Sequence, residues 1–125
     1  MAKKYKPQWF ESPFQHAKYT LVRTVKQAKK LGFKVEELLS GSNATTNYMD
    51  DGKHIIVYMP YSDIPLISQQ GLIIHEAVHI WQEIKNRMRE DEPSIEFEAY
   101  SIQVISQDLL WLLGESNGRM AQPPT

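Results

Sequence analysis

Between Pro65 and Arg89 the chain repeats apolar residues at a helical period, and this stretch limits its possible folds more than any other. At 100° per residue, Ile73, Ala77, Ile80 and Ile84 share one side, while His75, His79, Gln82 and Asn86 fall within a narrow opposite arc. A helix with so apolar a back needs a second layer to bury it. Its front carries His75-Glu76-Ala77-Val78-His79. Positions four apart lie one turn apart on the same face, so both imidazoles can reach one metal ion. Glu76 is turned about a quarter circle away, where it can hold a water rather than the metal itself. That arrangement suits metal-assisted hydrolysis, with His75 and His79 as ligands and Glu76 as the catalytic base.

The flanking segments supply the other layer. Residues 1–12 read as an irregular arm. Ser12-Pro13 is a good helix start, and Phe14, Ala17, Leu21, Val25 and Ala28 follow at helical spacing until Gly32, predicting a first helix over 13–31. Phe33-Lys34-Val35 opens a strand, or Glu36 to Leu39 forms a helical turn, before a turn at Gly41-Ser42-Asn43. Residues 44–49 and 53–59 flank Asp50-Asp51-Gly52 as a hairpin, and His54 to Met59 is the strongest strand signal. Pro60 stops it. The motif helix should start near Leu66 to Ser68 and run to about Arg89. Ser94 starts a last helix that reaches about Leu113, with Gly114 as its stop. The expected fold is α+β: an N-terminal helix, a small, mainly antiparallel sheet, then the motif helix and a final helix. Residues 1–113 would form one domain and 114–125 a tail.

The chain's 125 residues are enough for one independent core. With no cysteine, thiolate metal sites, disulfides and cysteine nucleophiles are excluded. No apolar run is long enough to span a bilayer, and the basic start has no apolar segment behind it. The expectation is therefore a soluble cytoplasmic protein of a bacterial or phage-infected cell, or a virion component, with no membrane partner. Charge is uneven: residues 1–40 carry nine Lys/Arg against three acids, and the remainder five against twelve. Without an aromatic stacking set to accompany it, the basic third reads as a solvated helix face and basic tail, or as a surface for a protein assembly partner, as does the C-terminal tail. A nucleic-acid partner is not the expected one; a nucleic-acid-associated regulator using residues 3–34 is a competing reading.

A hydrolytic zinc site takes a third protein ligand and leaves one position open. Among the acids after His79, Glu83 is rotated off the histidine face, and Glu90, Asp91 and Glu92 fall in a charged connection. Helical phase separates Glu96 from Glu98. Ile102, Ile105, Leu109 and Leu112 lie within about 40° of Glu98, whereas Glu96 falls with Gln103 and Gln107. A carboxylate at the end of an apolar stripe needs a compensating partner. Glu98 is the selected third ligand; Glu98 as a hydrogen-bond acceptor, or Glu96 as ligand, are the alternatives.

His75-Glu76-Ala77-Val78-His79, followed nineteen residues after the second histidine by Glu98-Ala99, resembles the gluzincin branch of the zincin metallopeptidases. It is most similar to compact metallopeptidase-like domains of bacteria and their phages. The resemblance covers residues 13–113 and implies a Zn2+ ion on His75, His79 and Glu98, a protein or peptide substrate, and Glu76 as proton acceptor. Position four after Glu98 is Ile102, where larger members carry aspartate. Tyr58, Tyr61, Tyr100 and His54 are candidates to support the oxyanion or substrate, and the strand ending at Tyr58 could pair with an extended peptide. The alternative function is a non-catalytic zinc-binding domain serving phage structure, assembly or regulation.

Overall fold

A computed structural model describes residues 4–13, 16–34 and 43–118. The fold is α+β. Four strands, β1 (Phe10–Glu11), β2 (Lys18–Val22), β3 (Thr45–Met49) and β4 (His54–Tyr58), form one sheet in the order β1-β2-β4-β3. The outer pairings are antiparallel and the central β2–β4 pairing is parallel, with Tyr19 opposite Ile55 and Leu21 opposite Val57. A short helix, α1 (Val25–Lys30), follows β2, and two long helices, α2 (Leu66–Arg87) and α3 (Ile95–Ser116), end the described chain.

Side chains alternate across a strand, so the sheet has two cores. On one face Tyr19, Leu21, Ile55 and Val57 meet Ile73, Ala77, Ile80 and Ile84 of α2 and Ile105, Leu109 and Leu112 of α3. On the other, Val22, Met49 and Ile56 meet Ala28 of α1, with Trp9, Leu31, Phe33 and Tyr58 packed against them. The predicted apolar back of α2 is wholly buried as expected.

The predicted helix over 13–31 is replaced by β2 and the much shorter α1. Tyr19-Thr20-Leu21-Val22 is a β-branched and aromatic run that serves both faces of a central strand. The helical spacing there was coincidental: Ala17 and Leu21 belong to the larger core and Ala28 to the smaller. The helix start is Thr24, whose hydroxyl accepts from the Gln27 amide while Gln27 returns a bond to the cap backbone. Gly32 does end the helix, at φ +93°. Strand β4 lies between β2 and β3, so both its edges are used and it cannot take a peptide strand. α3 continues through Gly114, which is buried, and ends at Asn117 before Gly118 at φ +87°. The expected turn or strand at 35–39, the turn at Gly41-Ser42 and residues 119–125 of the tail lie outside the described residues.

Candidate metal centre

α2 presents His75 and His79 outward one turn apart, with their Nε2 atoms 3.1 Å from each other. Two nitrogens sharing a tetrahedral zinc at about 2.0–2.1 Å stand about 3.3–3.4 Å apart, so the pair is spaced for one ion. Gln82, one turn further on, sets the tautomer of His79. Its Oε1 lies 3.0 Å from His79 Nδ1, and an amide oxygen only accepts, so Nδ1 carries the hydrogen and Nε2 the lone pair. The 3.1 Å contact is then a hydrogen bond from His75 Nε2–H to His79 Nε2. Metal binding would require His75 to give up that proton from Nε2. Both rings are exposed, and 66% of the His75 side chain is open to solvent.

Glu76, by contrast, is buried, with 5% of its surface exposed, because its quarter-turn offset points it at the sheet. Thr46 on β3 donates from Oγ1 to Glu76 Oε1 at 2.7 Å. The other carboxylate oxygen, Oε2, lies 4.0 Å from His75 Nε2. Two residues along the same face of β3, Tyr48 Oη reaches the His79 carbonyl at 3.4 Å. Burial first, then the charges of Glu83 and Glu76, raise the Tyr48 phenol above the ordinary tyrosine range. β3 thus supplies one hydroxyl to the Glu76 carboxylate and one to the backbone of His79. Alternation along β3 would have shown that Thr46 and Tyr48 share a face, but not that this face meets α2.

Glu98, on α3, meets α2 away from the histidines. Its Oε2 accepts from Trp81 Nε1 at 2.8 Å and sits 3.8 Å from Lys85 Nζ. At 100° per residue, Trp81 and Lys85 are about 100° or more around α2 from the histidine arc. Among the described residues no three of His, Asp and Glu come together as a ready metal site. The structure therefore brings the two histidines together and places Glu98 as a hydrogen-bond acceptor on the flank. Glu96 is exposed near the start of α3.

The remaining candidates are dispersed. His54 and Tyr58 share the parity of Ile56 and face the smaller core, away from α2. His54 is bonded at Nδ1 to Asp50 Oδ2, 2.8 Å away, and stacks edge-on against Trp9. Tyr61 donates to the Ser116 carbonyl at 2.9 Å and lies under the Arg23 guanidinium. Tyr100 is exposed on α3. None of the four stands beside the histidine pair in the hydrogen bonds of the described residues; Tyr48 does.

No protein-family model matches the chain, and no curated protein or solved structure is significantly similar to it.

Proposed function

We propose that the chain is a zinc-dependent, metallopeptidase-like protein, with the metal on His75 and His79 and Glu76 as the proton acceptor in peptide-bond hydrolysis. The convergence of the two Nε2 atoms, with His79 locked by Gln82 beside a buried Glu76, carries this reading. Glu98 is the candidate third ligand. A zinc ion there would acidify water and polarise a carbonyl. The chain's own part is proton handling and orientation. Thr46 occupies Oε1 of Glu76 and so fixes the carboxylate plane, leaving Oε2, the oxygen nearer His75, to take a proton and return it to a leaving amine. Tyr48 is the hydroxyl best placed to donate to developing negative charge nearby.

Zinc content and cleavage of an unfolded protein substrate test this together. One zinc per chain, lost in His79→Ala and Glu98→Ala, with cleavage lost but zinc kept in Glu76→Gln, is the expected result. A purified chain that takes up no zinc would overturn it. The hold of Trp81 and Lys85 on Glu98 favours a second reading, a non-catalytic zinc-binding domain for assembly or regulation. Under that reading zinc binds, Glu98→Ala leaves it bound, and no cleavage is detected.

A further inference from the structure

The sheet face away from α2 joins features that are far apart in the sequence. The arm before β1 runs beside α1 and the residues after it. Lys4 and Lys30 come within hydrogen-bonding reach, with Lys6 and Lys26 close enough to repel. All four are exposed, and among the described residues none forms an ion pair. The contact with Lys4, then the charges of Lys4, Lys26 and Lys6, hold the Lys30 ammonium below the usual lysine range. Further along the same two segments, Trp9 meets Phe33, with ring centroids 6.1 Å apart.

Trp9, Phe33, His54 and Asp50 line a cleft of about 370 Å³, floored by Met49 and open at Gly32, where a side chain would meet no neighbour within 4 Å. That volume lies within the range of small-ligand sites, about 300–1,000 Å³. An adjoining cleft, meeting the first at His54, adds Lys53 and the Lys18–Glu11 ion pair, and reaches past the strand ends to Arg87 of α2. The face therefore runs from lysines, through an aromatic cleft with one imidazole and one carboxylate, to further cations. Cations that follow a phosphate backbone beside rings that stack bases are what single strands require. The basic third lacked aromatic partners in the linear sequence; folding brings Trp9 and Phe33 to it.

We propose that this face binds single-stranded nucleic acid, with Lys4, Lys6, Lys26 and Lys30 on successive phosphates and one base lodged in the cleft that Trp9 and Phe33 line, against the edge-to-face pair they form. With His54 Nδ1–H given to Asp50 Oδ2, His54 Nε2 and Asp50 Oδ1 offer two acceptors to the edge of that base. The site lies on the opposite side of the sheet from the histidine pair, so it does not depend on zinc.

Fluorescence anisotropy of a labelled oligothymidylate of about 16 nucleotides, titrated with the full chain, tests the proposal. Binding at low salt is expected, with affinity falling on a log–log salt plot by a slope of about −2 to −3 for four phosphate contacts. Lys26→Glu with Lys30→Glu, both at exposed positions, should weaken binding at least tenfold and flatten that slope. Phe33→Ala should weaken it about tenfold with the slope unchanged, because stacking carries no counterion release. Absence of binding at low salt would overturn the proposal, as would full affinity in the charge-reversed protein. Equal or tighter binding of heparin or phosphatidylserine vesicles, with Phe33→Ala without effect on the oligonucleotide, would also overturn it, since a bare polyanion surface needs no aromatic cleft.

Discussion

At Gly52 a single hydrogen atom lets the hairpin tip close on α2. The residue sits at φ +83°, and a Cβ there would stand 2.8 Å from Glu83 Oε1 and 3.1 Å from Arg87 Nη1. Arg87 itself donates to the Asp51 carbonyl, so the tip and the helix are stitched at this point. Gly52→Ala should cost about 1–3 kcal/mol in urea unfolding, from left-handed backbone strain and the displaced Glu83 and Arg87 side chains together. Asp108 is a second site of single-residue control. It is buried on α3, where the Tyr19 hydroxyl donates to it. Burial raises its carboxyl above the ordinary aspartate range, only partly offset by the Tyr19 bond, and burial, then the bond to Asp108, raise the Tyr19 phenol. A raised folded pKa means that the favourable contribution is complete below the unfolded value, about 3.9, and is lost as pH rises through the folded one. Asp108→Asn keeps an acceptor for Tyr19 without a charge. Its stability relative to the parent should therefore rise with pH across the mildly acidic range and level off near neutrality, as followed by thermal melts at a series of pH values.

Between elements, Arg23 ties the end of β2 to the end of α3. It is 2% exposed, donates from Nε to the Met59 carbonyl and from Nη1 to Ser116 Oγ and Asn117 Oδ1, and lies 4.3 Å over the Tyr61 ring. Burial pulls its pKa below the usual arginine range, partly offset by Tyr61 and Tyr5. A guanidinium at a helix C-terminus also meets the negative end of the helix dipole. This clamp explains why α3 does not stop at Gly114. Arg23→Met should lose on the order of 2–3 kcal/mol, and hydrogen exchange should accelerate in the last turn of α3 before the rest of the helix. The α2–α3 seam shows the same economy. Trp81 packs on Phe97 and spends its indole N–H on Glu98, so an aromatic core residue and the candidate third ligand share one contact.

For the molecule as a whole, the sheet separates two surfaces of different chemistry. The α2 side holds the histidines at its solvent face, and the α1 side holds the lysines and the aromatic cleft. Because His75 and His79 contribute no core surface, His75→Ala should change metal-free stability by less than about 0.5 kcal/mol. Zinc should nevertheless stabilise the parent by mass action, about 2.7 kcal/mol at a hundredfold excess over Kd. The expected measurement is a melting temperature that rises with zinc, falls back with chelator, and does not respond in His75→Ala. A parent melt indifferent to zinc would count against both readings of the metal centre while leaving the nucleic-acid face untouched.

Periodicity over many turns made α2 legible, including which side would be buried, because a long amphipathic stripe has one way to face a core. The same was true of β4, whose run of β-branched residues ends at a proline, and of Gly32 as a stop. β2 was not legible: over five residues with apolar neighbours on both faces, strand and helix spacing coincide, and only pairing with β4 decides between them. Phase separated Glu98, which does lie at the helix seam, from Glu96, which is exposed. Phase says nothing about how α3 is rotated and slid against α2, and that rigid-body relation gave Glu98 to Trp81. The sequence by itself determined the α+β class, the helix that carries the histidines and their mutual reach, since these depend on local spacing. Tertiary structure alone decided that Thr46 holds Glu76 and Tyr48 the His79 carbonyl, that Arg23 clamps α3, and that Trp9 and Phe33 join the lysines, because each requires segments brought together across the sheet.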